Sequence, residues 1–188
     1  DGMLVIRADE ESFGGRSYTS SRIKTQGKQN FQYGRIDIRA RMPEGQGIWP
    51  ALWMLGENIN QVSWPYCGEL DVMEMVGGGN GKDNRTVGTA HWNAGGLDAS
   101  YSPANFGSEE ILPENLSANF HVYSIVWTSY RITWYVDDVQ YHVMAIDNSA
   151  SLAAFQKQFS LIFNVALGGD WPGIPDSYTF LLYYSPTP

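Results

Sequence analysis

Three carboxylates lie within six residues of one apolar stretch, as Glu69, Asp71 and Glu74 of GELDVMEMVGG. A purely structural strand usually carries Val or Ile at such positions. Burying several acids side by side is costly, because each charge loses its hydration and repels its neighbours. The cluster therefore indicates a site where carboxylates take part in a reaction. The reaction that typically uses a pair of carboxylates is cleavage of a glycosidic bond.

Strand geometry limits how these acids can meet. Residues two apart share a face, so Glu69 and Asp71 align while Glu74 points the other way. A β-bulge around Val72 and Met73 would absorb one residue and bring Glu74 round to the others. The alternative leaves Glu74 as an ordinary charge that faces the core or the opposite surface, where the flanking methionines offer it no partner. We predict the bulge.

The spacing of the two glutamates favours one reaction geometry. If the bulge absorbs one residue, their Cα atoms lie some four strand steps apart, which is about 13 Å at roughly 3.3 Å per residue. Two Glu side chains that lean inward could approach the roughly 5 to 5.5 Å carboxyl separation of retaining glycosidases. Asp71, between them, could orient one Glu and separate the two pKa values, so that one Glu is ionised and the other protonated.

The elements that must hold this cluster are strands. Short alternating or β-branched runs are separated by Gly, Pro, Asn and Asp, which is typical of a β-sandwich. One short helix is predicted at 149–157, and the polar stretch 93–119 reads as loops between strands. The predicted strands are 3–8, 17–25, 31–42, 48–55, 67–76, 85–92, 120–128, 131–137, 139–146 and 159–167.

Composition fits a single domain and limits the partners that the protein can bind. The chain has 188 residues, which is enough for one sizeable core. Its 7 Trp and 11 Tyr exceed what a core requires, which indicates a carbohydrate or other ring-stacking surface, although most of these rings would fill a β-rich core. The net charge of −8 argues against nucleic acid as a partner. No apolar run reaches the roughly 20 residues that span a bilayer, so we expect no membrane association. The lone Cys67 is expected to be a small buried residue.

Some aromatic and charged residues are candidates for substrate contact. Trp49 and Trp53 share a strand face, and Trp64 precedes the acid-bearing strand, so all three could offer planes to sugar rings; the alternative for each is core packing. Asp37 and Arg39 also share one strand face, where the alternative is a surface salt bridge.

The acid motif GELDVMEMVGG and several segments around it resemble glycoside hydrolase family 16, of the laminarinase-like type. The resemblance extends from about residue 2 to about 180 and rests on the acid motif in its Glu-x-Asp-x-x-Glu form and on the segments around it. It implies an all-β jelly-roll sandwich of two antiparallel sheets, an open cleft on the concave face, and endo-cleavage of β-1,3-glucan with retention. The matching segments are YTSSRIKTQGK, YGRIDIRARMPEGQGIWPALWMLG, WPYCGELDVMEMVG, GTAHW, FHVYSIVWT, WYVDDVQY and FNVALGGDWPG.

The resemblance also implies roles for individual residues. Glu69 would be the nucleophile, Glu74 the acid and then the base, and Asp71 their assistant. His91 of GTAHW would reach into the cleft beside the acids, although a structural His is the alternative. The remaining matches would contact sugar: Trp49, Trp53 and Trp64 on the glycone side, Asp37 and Arg39 at sugar hydroxyls, and Asn164 and Trp171 on the aglycone side.

The ends of the sequence depart from the family pattern. A segment with an Asp-Glu-Phe-like motif usually precedes the start seen here, and a strand resembling YVDYVRVY usually replaces the final LLYYSPTP. We therefore expect a single catalytic domain over 1–188 without the usual terminal strands. No cofactor is implied for catalysis. The structural calcium of many members is possible, but the ends that largely hold it in the family are absent from this sequence.

The expected protein is a secreted monomer, its export signal removed, acting on a β-glucan polysaccharide or oligosaccharide. The alternatives are a β-1,3-1,4-glucanase, an agarase or carrageenase, or a non-catalytic β-glucan-binding module. A binding module would keep the tryptophans but would not need two Glu around an Asp.

Overall fold

A computed structural model of the chain describes residues 2–78, 81–97, 99–177 and 179. The predicted loss of a C-terminal strand concerns residues 180–188, which lie outside the described part. Among the described residues, no helix is both long and apolar enough to cross a membrane.

The fold is an all-β jelly roll built from two packed antiparallel sheets, as predicted. A six-stranded sheet has the order β3-β12-β5-β6-β7-β8, and a four-stranded sheet has the order β11-β10-β9-β4. The first two strands form a separate hairpin. The strands are β1 Asp9–Phe13, β2 Arg16–Thr19, β3 Arg22–Lys24, β4 Gly34–Ala40, β5 Ile48–Gly56, β6 Glu69–Glu74, β7 Arg85–Asn93, β8 Pro103–Ile111, β9 His121–Trp127, β10 Arg131–Val136, β11 Val139–Ala145 and β12 Phe159–Leu167.

The core lies between the two sheets and is filled by one face of each strand. From β5 and β6 it receives Leu52, Met54 and Leu70, while β9 and β10 contribute Ile125, Trp127 and Trp134. Because side chains alternate along a strand, the neighbours of these residues point out of the sandwich. The six-stranded sheet therefore presents Trp49, Ala51 and Trp53 of β5 on its outer face.

Three predictions about elements were wrong at the level of detail. The strand expected at 3–8 is absent, and the first strand begins instead at Asp9. The stretch 93–119 is not all loop, because β8 lies within it; this edge strand is mostly exposed, so its polar residues hide the alternation. The helix expected at 149–157 is only a 3-10 turn at Ala153–Gln156. A short helix, α1 at Ile59–Val62, was not predicted.

Candidate active site

The predicted bulge is present in β6. On the neighbouring β5, Trp53 pairs with Asp71 and Ala51 pairs with Glu74, so one residue of β5 is spanned by two of β6. The register of β6 against β7 shifts over the same interval. Val72 and Met73 are both fully buried, and Glu74 returns to the face of Asp71. Strand parity thus predicted correctly where the extra residue had to be absorbed.

The bulge is tied to the opposite sheet across the core. The indole Nε1 of Trp134, on β10, donates to the backbone carbonyl of Asp71 at 2.8 Å. Gly88, between the β7 partners of Asp71 and Glu74, leaves room for this indole, since a Cβ there would overlap it and the hydroxyl of Tyr141. A hydrogen bond from the second sheet therefore fixes the backbone beside the acids.

The three acids line a cleft of about 180 Å³ on the outer face of the six-stranded sheet. Its walls come from β5 and β12, which flank β6 on one side. The residues that line it are Arg22, Trp49, Ala51, Trp53, Glu69, Asp71, Glu74, Asn164 and Ala166. The structure therefore brings six predicted site residues together with Arg22, which was not predicted, and with two small residues, Ala51 and Ala166.

Two tryptophans are held by hydrogen bonds within the cleft. Trp49 Nε1 donates to Glu74 Oε1 at 3.0 Å, so this ring is fixed against one of the acids. Trp53 Nε1 donates to Asn164 Oδ1 at 2.8 Å, which links β5 to β12. Trp49 and Trp53 are both partly buried. Each therefore keeps exposed ring surface while its indole N–H is hydrogen-bonded. The alternative of pure core packing is excluded for both by their outward face.

His91 lies beside the acids from the β7 side, as the resemblance implied. Its Nε2 is 3.2 Å from Asp71 Oδ2 and 3.9 Å from Glu69 Oε1. The loop between α1 and β6 presents Trp64 nearby, with its ring centroid 6.2 Å from that of His91. Trp64 is 42% exposed, which suits a ring that borders an open cleft.

Trp171 extends the aromatic wall past Trp49. The two rings meet edge to face, with centroids 5.3 Å apart. Trp171 is 50% exposed, so most of one surface of the ring is available. The positive φ values of Gly168 and Gly169 permit the turn that carries the chain from β12 to this residue.

Asp37 and Arg39 do not line this cleft, so their predicted contact with sugar hydroxyls is wrong for this site. They do share a face of β4, but β4 belongs to the four-stranded sheet, and that face points to solvent on the other side of the sandwich. Asp37 forms an ion pair with Arg35 at 2.8 Å, and the Arg39 guanidinium lies 4.3 Å from the centre of the Phe120 ring. Alternation placed them on one face correctly, but it does not say to which sheet a strand belongs.

Burial dominates the electrostatics of the three acids. It raises the pKa of Glu69 to about 8, with the charge of Asp71 as the second cause and His91 acting against both. Burial, and then the charge of Glu74, raises the pKa of Asp71 well above its usual value. The pKa of Glu74 is also raised by burial, while the hydrogen bond from Trp49 lowers it.

Burial and mutual repulsion therefore favour the protonated forms of these acids, because three charges this close are unfavourable in a buried site. One ionised and one protonated Glu stays a prediction. The two glutamates differ in one contact, since the hydrogen bond from Trp49 stabilises the ionised form of Glu74.

Sequence reasoning missed two contributors, Arg22 and Trp134. The Arg22 guanidinium lies 5.4 Å from the centre of the Trp53 ring, at the end of the cleft formed by β3 and β5. Arg22 lies in the matching segment YTSSRIKTQGK and Trp134 in the matching segment WYVDDVQY, but a match of segments does not say which side chain reaches the cleft. For Trp134, the partner is a backbone carbonyl that is 63 residues away in sequence.

Cys67 and a second surface depression lie outside the acid cluster. Cys67 is fully buried, and burial raises the pKa of its thiol to about 12, as expected for a packing residue. A depression of about 440 Å³ lies elsewhere, bordered by Trp92, Phe106, Met144 and Leu152 together with two serines, and it has no ionisable group in its lining.

The fold and the cleft define a jelly-roll protein with a carboxylate triad on the outer face of one sheet and an aromatic wall beside it. Residues 1–180 match the model of "Glycosyl hydrolases family 16". The chain belongs to that family.

Known relatives agree with this assignment. The chain is 38% identical over 180 residues to a beta-glucanase of Rhodothermus marinus, covering 92% of this chain and 60% of that protein. It is 37% identical to glucan endo-1,3-beta-glucosidase A1 of Niallia circulans, covering 92% of this chain but 27% of that protein. The laminarinase catalytic domain of Thermotoga maritima MSB8 has a similar structure, with a TM-score of 0.80 and 44% identity over 93% of this chain and 70% of that one. The chain thus spans only part of the length of these curated relatives.

Proposed function

We propose that this protein is an endo-acting glycoside hydrolase that cleaves β-1,3-glucan of the laminarin type with retention of anomeric configuration. The observation that carries the proposal is the bulge in β6, which puts Glu69, Asp71 and Glu74 on one face of one cleft. A structural strand gains nothing from such an arrangement, since each buried acid costs free energy. Relatives named as glucan endo-1,3-beta-glucosidase and laminarinase support the substrate class.

In the first step, a Glu69 carboxylate oxygen attacks the anomeric carbon and forms a glycosyl ester. The bond from that carbon to the leaving glucan oxygen breaks, and Glu74 gives this oxygen its proton. In the second step, Glu74 takes a proton from water, whose oxygen attacks the anomeric carbon and releases Glu69. Two inversions at one carbon give net retention.

Asp71 and Trp49 adjust this exchange. Asp71 is almost fully buried beside the two glutamates; its charge raises the pKa of Glu69, and the charge of Glu74 raises the pKa of Asp71. The hydrogen bond that Trp49 donates to Glu74 favours the carboxylate form, which is the form Glu74 needs as the base of the second step.

The aromatic wall explains why the substrate would be a glucan chain and not a charged ligand. Trp49, Trp53 and Trp171 offer ring surface along the cleft, and apolar faces of pyranose rings stack on such planes. Asn164, fixed by Trp53, has an amide that can still donate to a sugar hydroxyl. Arg22 is the cation among the cleft-lining residues, so a strongly sulfated chain has little complementary charge there.

The test is to incubate the protein with laminarin, lichenan, agarose and carrageenan and to size the products. The proposal expects oligosaccharides of intermediate size from laminarin, and NMR of the first products should give the β-anomer. Cleavage of lichenan as well would indicate the β-1,3-1,4-glucanase alternative, and cleavage only of agarose or carrageenan would reject the substrate class. Binding of laminarin without products would support a glucan-binding module.

The proposal extends to the setting of the reaction. A polysaccharide does not cross a membrane, so an enzyme that cleaves internal bonds of a polysaccharide has to act outside the cell. We therefore propose that the protein is secreted. We also propose that it acts as a monomer. Detection of the protein in culture medium and its mass by light scattering test these two points.

A further inference from the structure

Asp71 Oδ2, in the cleft, has no hydrogen-bond partner among the residues that the structure describes. This oxygen is buried, and the Asp71 side chain is only 3% exposed. His91 Nε2 lies 3.2 Å away, but the two atoms are not aligned as a hydrogen bond. A buried carboxylate oxygen without a partner costs free energy, so this atom points to a ligand.

The atoms around Asp71 Oδ2 have the spacing of ligands to one metal ion. One ligand atom each from Glu69, Asp71 and His91 lies within 4.8 Å of the other two. His91 Nε2 is 3.2 Å from the Asp71 oxygen and 3.9 Å from Glu69 Oε1. Tetrahedral ligands at about 2.1 Å from zinc lie roughly 3.4 Å apart, so only small side-chain shifts are needed to place all three on one ion.

We propose that the cleft binds one Zn²⁺, or a first-row divalent ion of similar chemistry, through Glu69, Asp71 and His91, and that this ion competes with substrate. One imidazole nitrogen and two carboxylate oxygens suit zinc, whereas Ca²⁺ and Mg²⁺ prefer six or more oxygen ligands or retained water. A fourth position would face the open cleft and hold water. Zinc would act here as an inhibitor and not as a cofactor.

Competition follows from the shared atom. Glu69 Oε1 would be both the metal ligand and a nucleophilic oxygen, so a bound ion and a bound glucan exclude each other. The binding site stands on geometry alone, whereas the inhibition rests on the proposed function. The two are separated by measuring metal binding without any substrate.

Equilibrium dialysis against ZnCl₂ is the direct test. We expect one Zn²⁺ per chain, with affinity at least about 10-fold weaker in His91→Gln and with much weaker binding of Ca²⁺. The matched control is His121→Gln, because His121 Nδ1 also faces a carboxylate, that of Asp137, at 2.7 Å, and this pair has no third ligand within the described part of the chain. This control should keep the zinc. No bound zinc, or zinc lost in His121→Gln and kept in His91→Gln, overturns the inference.

Two further measurements hold even if His91→Gln folds poorly. X-ray absorption at the zinc edge of the wild-type protein should show one imidazole among nitrogen and oxygen ligands, and two or more imidazoles would contradict the site. In a laminarin assay, Zn²⁺ should raise the apparent KM and leave kcat unchanged. Hydrolysis that is insensitive to zinc rejects the inhibition while the proposed function stands; bound zinc in a protein that cleaves no glucan rejects the function and leaves the site.

Discussion

The outer faces of the two sheets carry similar residues in different surroundings. Each has an aspartate, and each has an Arg over an aromatic ring: Arg22 is 5.4 Å from the Trp53 centre and Arg35 is 5.8 Å from the Tyr135 centre. On the four-stranded sheet, the Asp37 side chain is 48% exposed, whereas on the six-stranded sheet that of Asp71 is 3% exposed. Residue type alone therefore does not make a site.

The two aspartates show what the surroundings do to a charge. The pKa of Asp37 is lowered by hydrogen bonding, first from Ser124 and also from Arg35. The pKa of Asp71 is raised by burial and then by Glu74. An ordinary strand in solvent stabilises its carboxylate, whereas the bulged strand gathers acids that must share protons. This contrast suggests four experiments.

The largest effect is expected from removing a cleft acid. Glu69→Gln or Glu74→Gln should lower kcat on laminarin by about 10³-fold or more, since each Gln can neither attack nor transfer a proton. Asp37→Asn is the matched change on the other sheet and should alter kcat less than about 2-fold, as expected for an exposed residue. Equal losses in all three variants, measured by initial rates, would end the distinction between the two faces.

The next effect concerns the link that holds the bulge. Trp134→Phe removes the N–H that donates to the backbone carbonyl of Asp71. We expect kcat to fall by about 10-fold or more and the pH profile of kcat to shift. Trp127→Phe is the control, because this indole is equally buried and also donates to a backbone carbonyl, that of Phe155, at 3.2 Å. It should lose similar stability in urea unfolding but keep its pH profile. Identical kinetics in the two variants would mean that Trp134 has only a structural role.

A smaller effect is expected from a ring in the cleft. Trp53→Ala should raise KM for laminarin by about 10-fold, since it removes a stacking surface and frees Asn164. Tyr135→Ala removes the aromatic partner of Arg35 on the other sheet and should leave KM unchanged. A KM change in Tyr135→Ala of the same size would show that the outer face of the second sheet also binds glucan.

The smallest effect is on stability. The pKa of Glu69 is about 8 in the folded protein against an ordinary 4.5, so between these pH values the folded state holds a proton that the unfolded chain has released. The free energy of unfolding should therefore fall as pH rises through this window, and Glu69→Gln should become more stable than wild type at pH 8 by on the order of 1 kcal/mol. Urea unfolding at both ends of the window measures the difference.

For Asp37, the free energy of unfolding is expected to depend on pH with the opposite sign, and Asp37→Asn tests this. Because the pKa of Asp37 is lowered in the folded protein, its charge contributes stability above the ordinary value, and that contribution is lost as pH falls through the folded pKa. The Asn variant should be no more stable than wild type at pH 8. A gain in stability at pH 8 in both variants would point to the net charge of −8 and not to the cleft.

Most of the site could be predicted because its acids lie close together in the sequence. Glu69, Asp71 and Glu74 lie in one strand, and the period of two requires a bulge if they are to act together. β8 was missed because an exposed edge strand has little apolar alternation to detect. Arg22 was missed although its segment matched the family, since a match of segments does not say which side chain reaches the cleft.

By itself, the sequence determined the β-rich fold, the family and the acid-bearing strand with its bulge, because these depend on residue period and on residues close together in the chain. Only the tertiary structure decided which strands share a sheet, and hence that Asp37 and Arg39 face away from the cleft. Likewise, only the packing of one sheet on the other brought the Trp134 N–H to the Asp71 carbonyl. Alternation fixes which residues share a face, but strand pairing and sheet packing, which join distant parts of the chain, fix what that face meets.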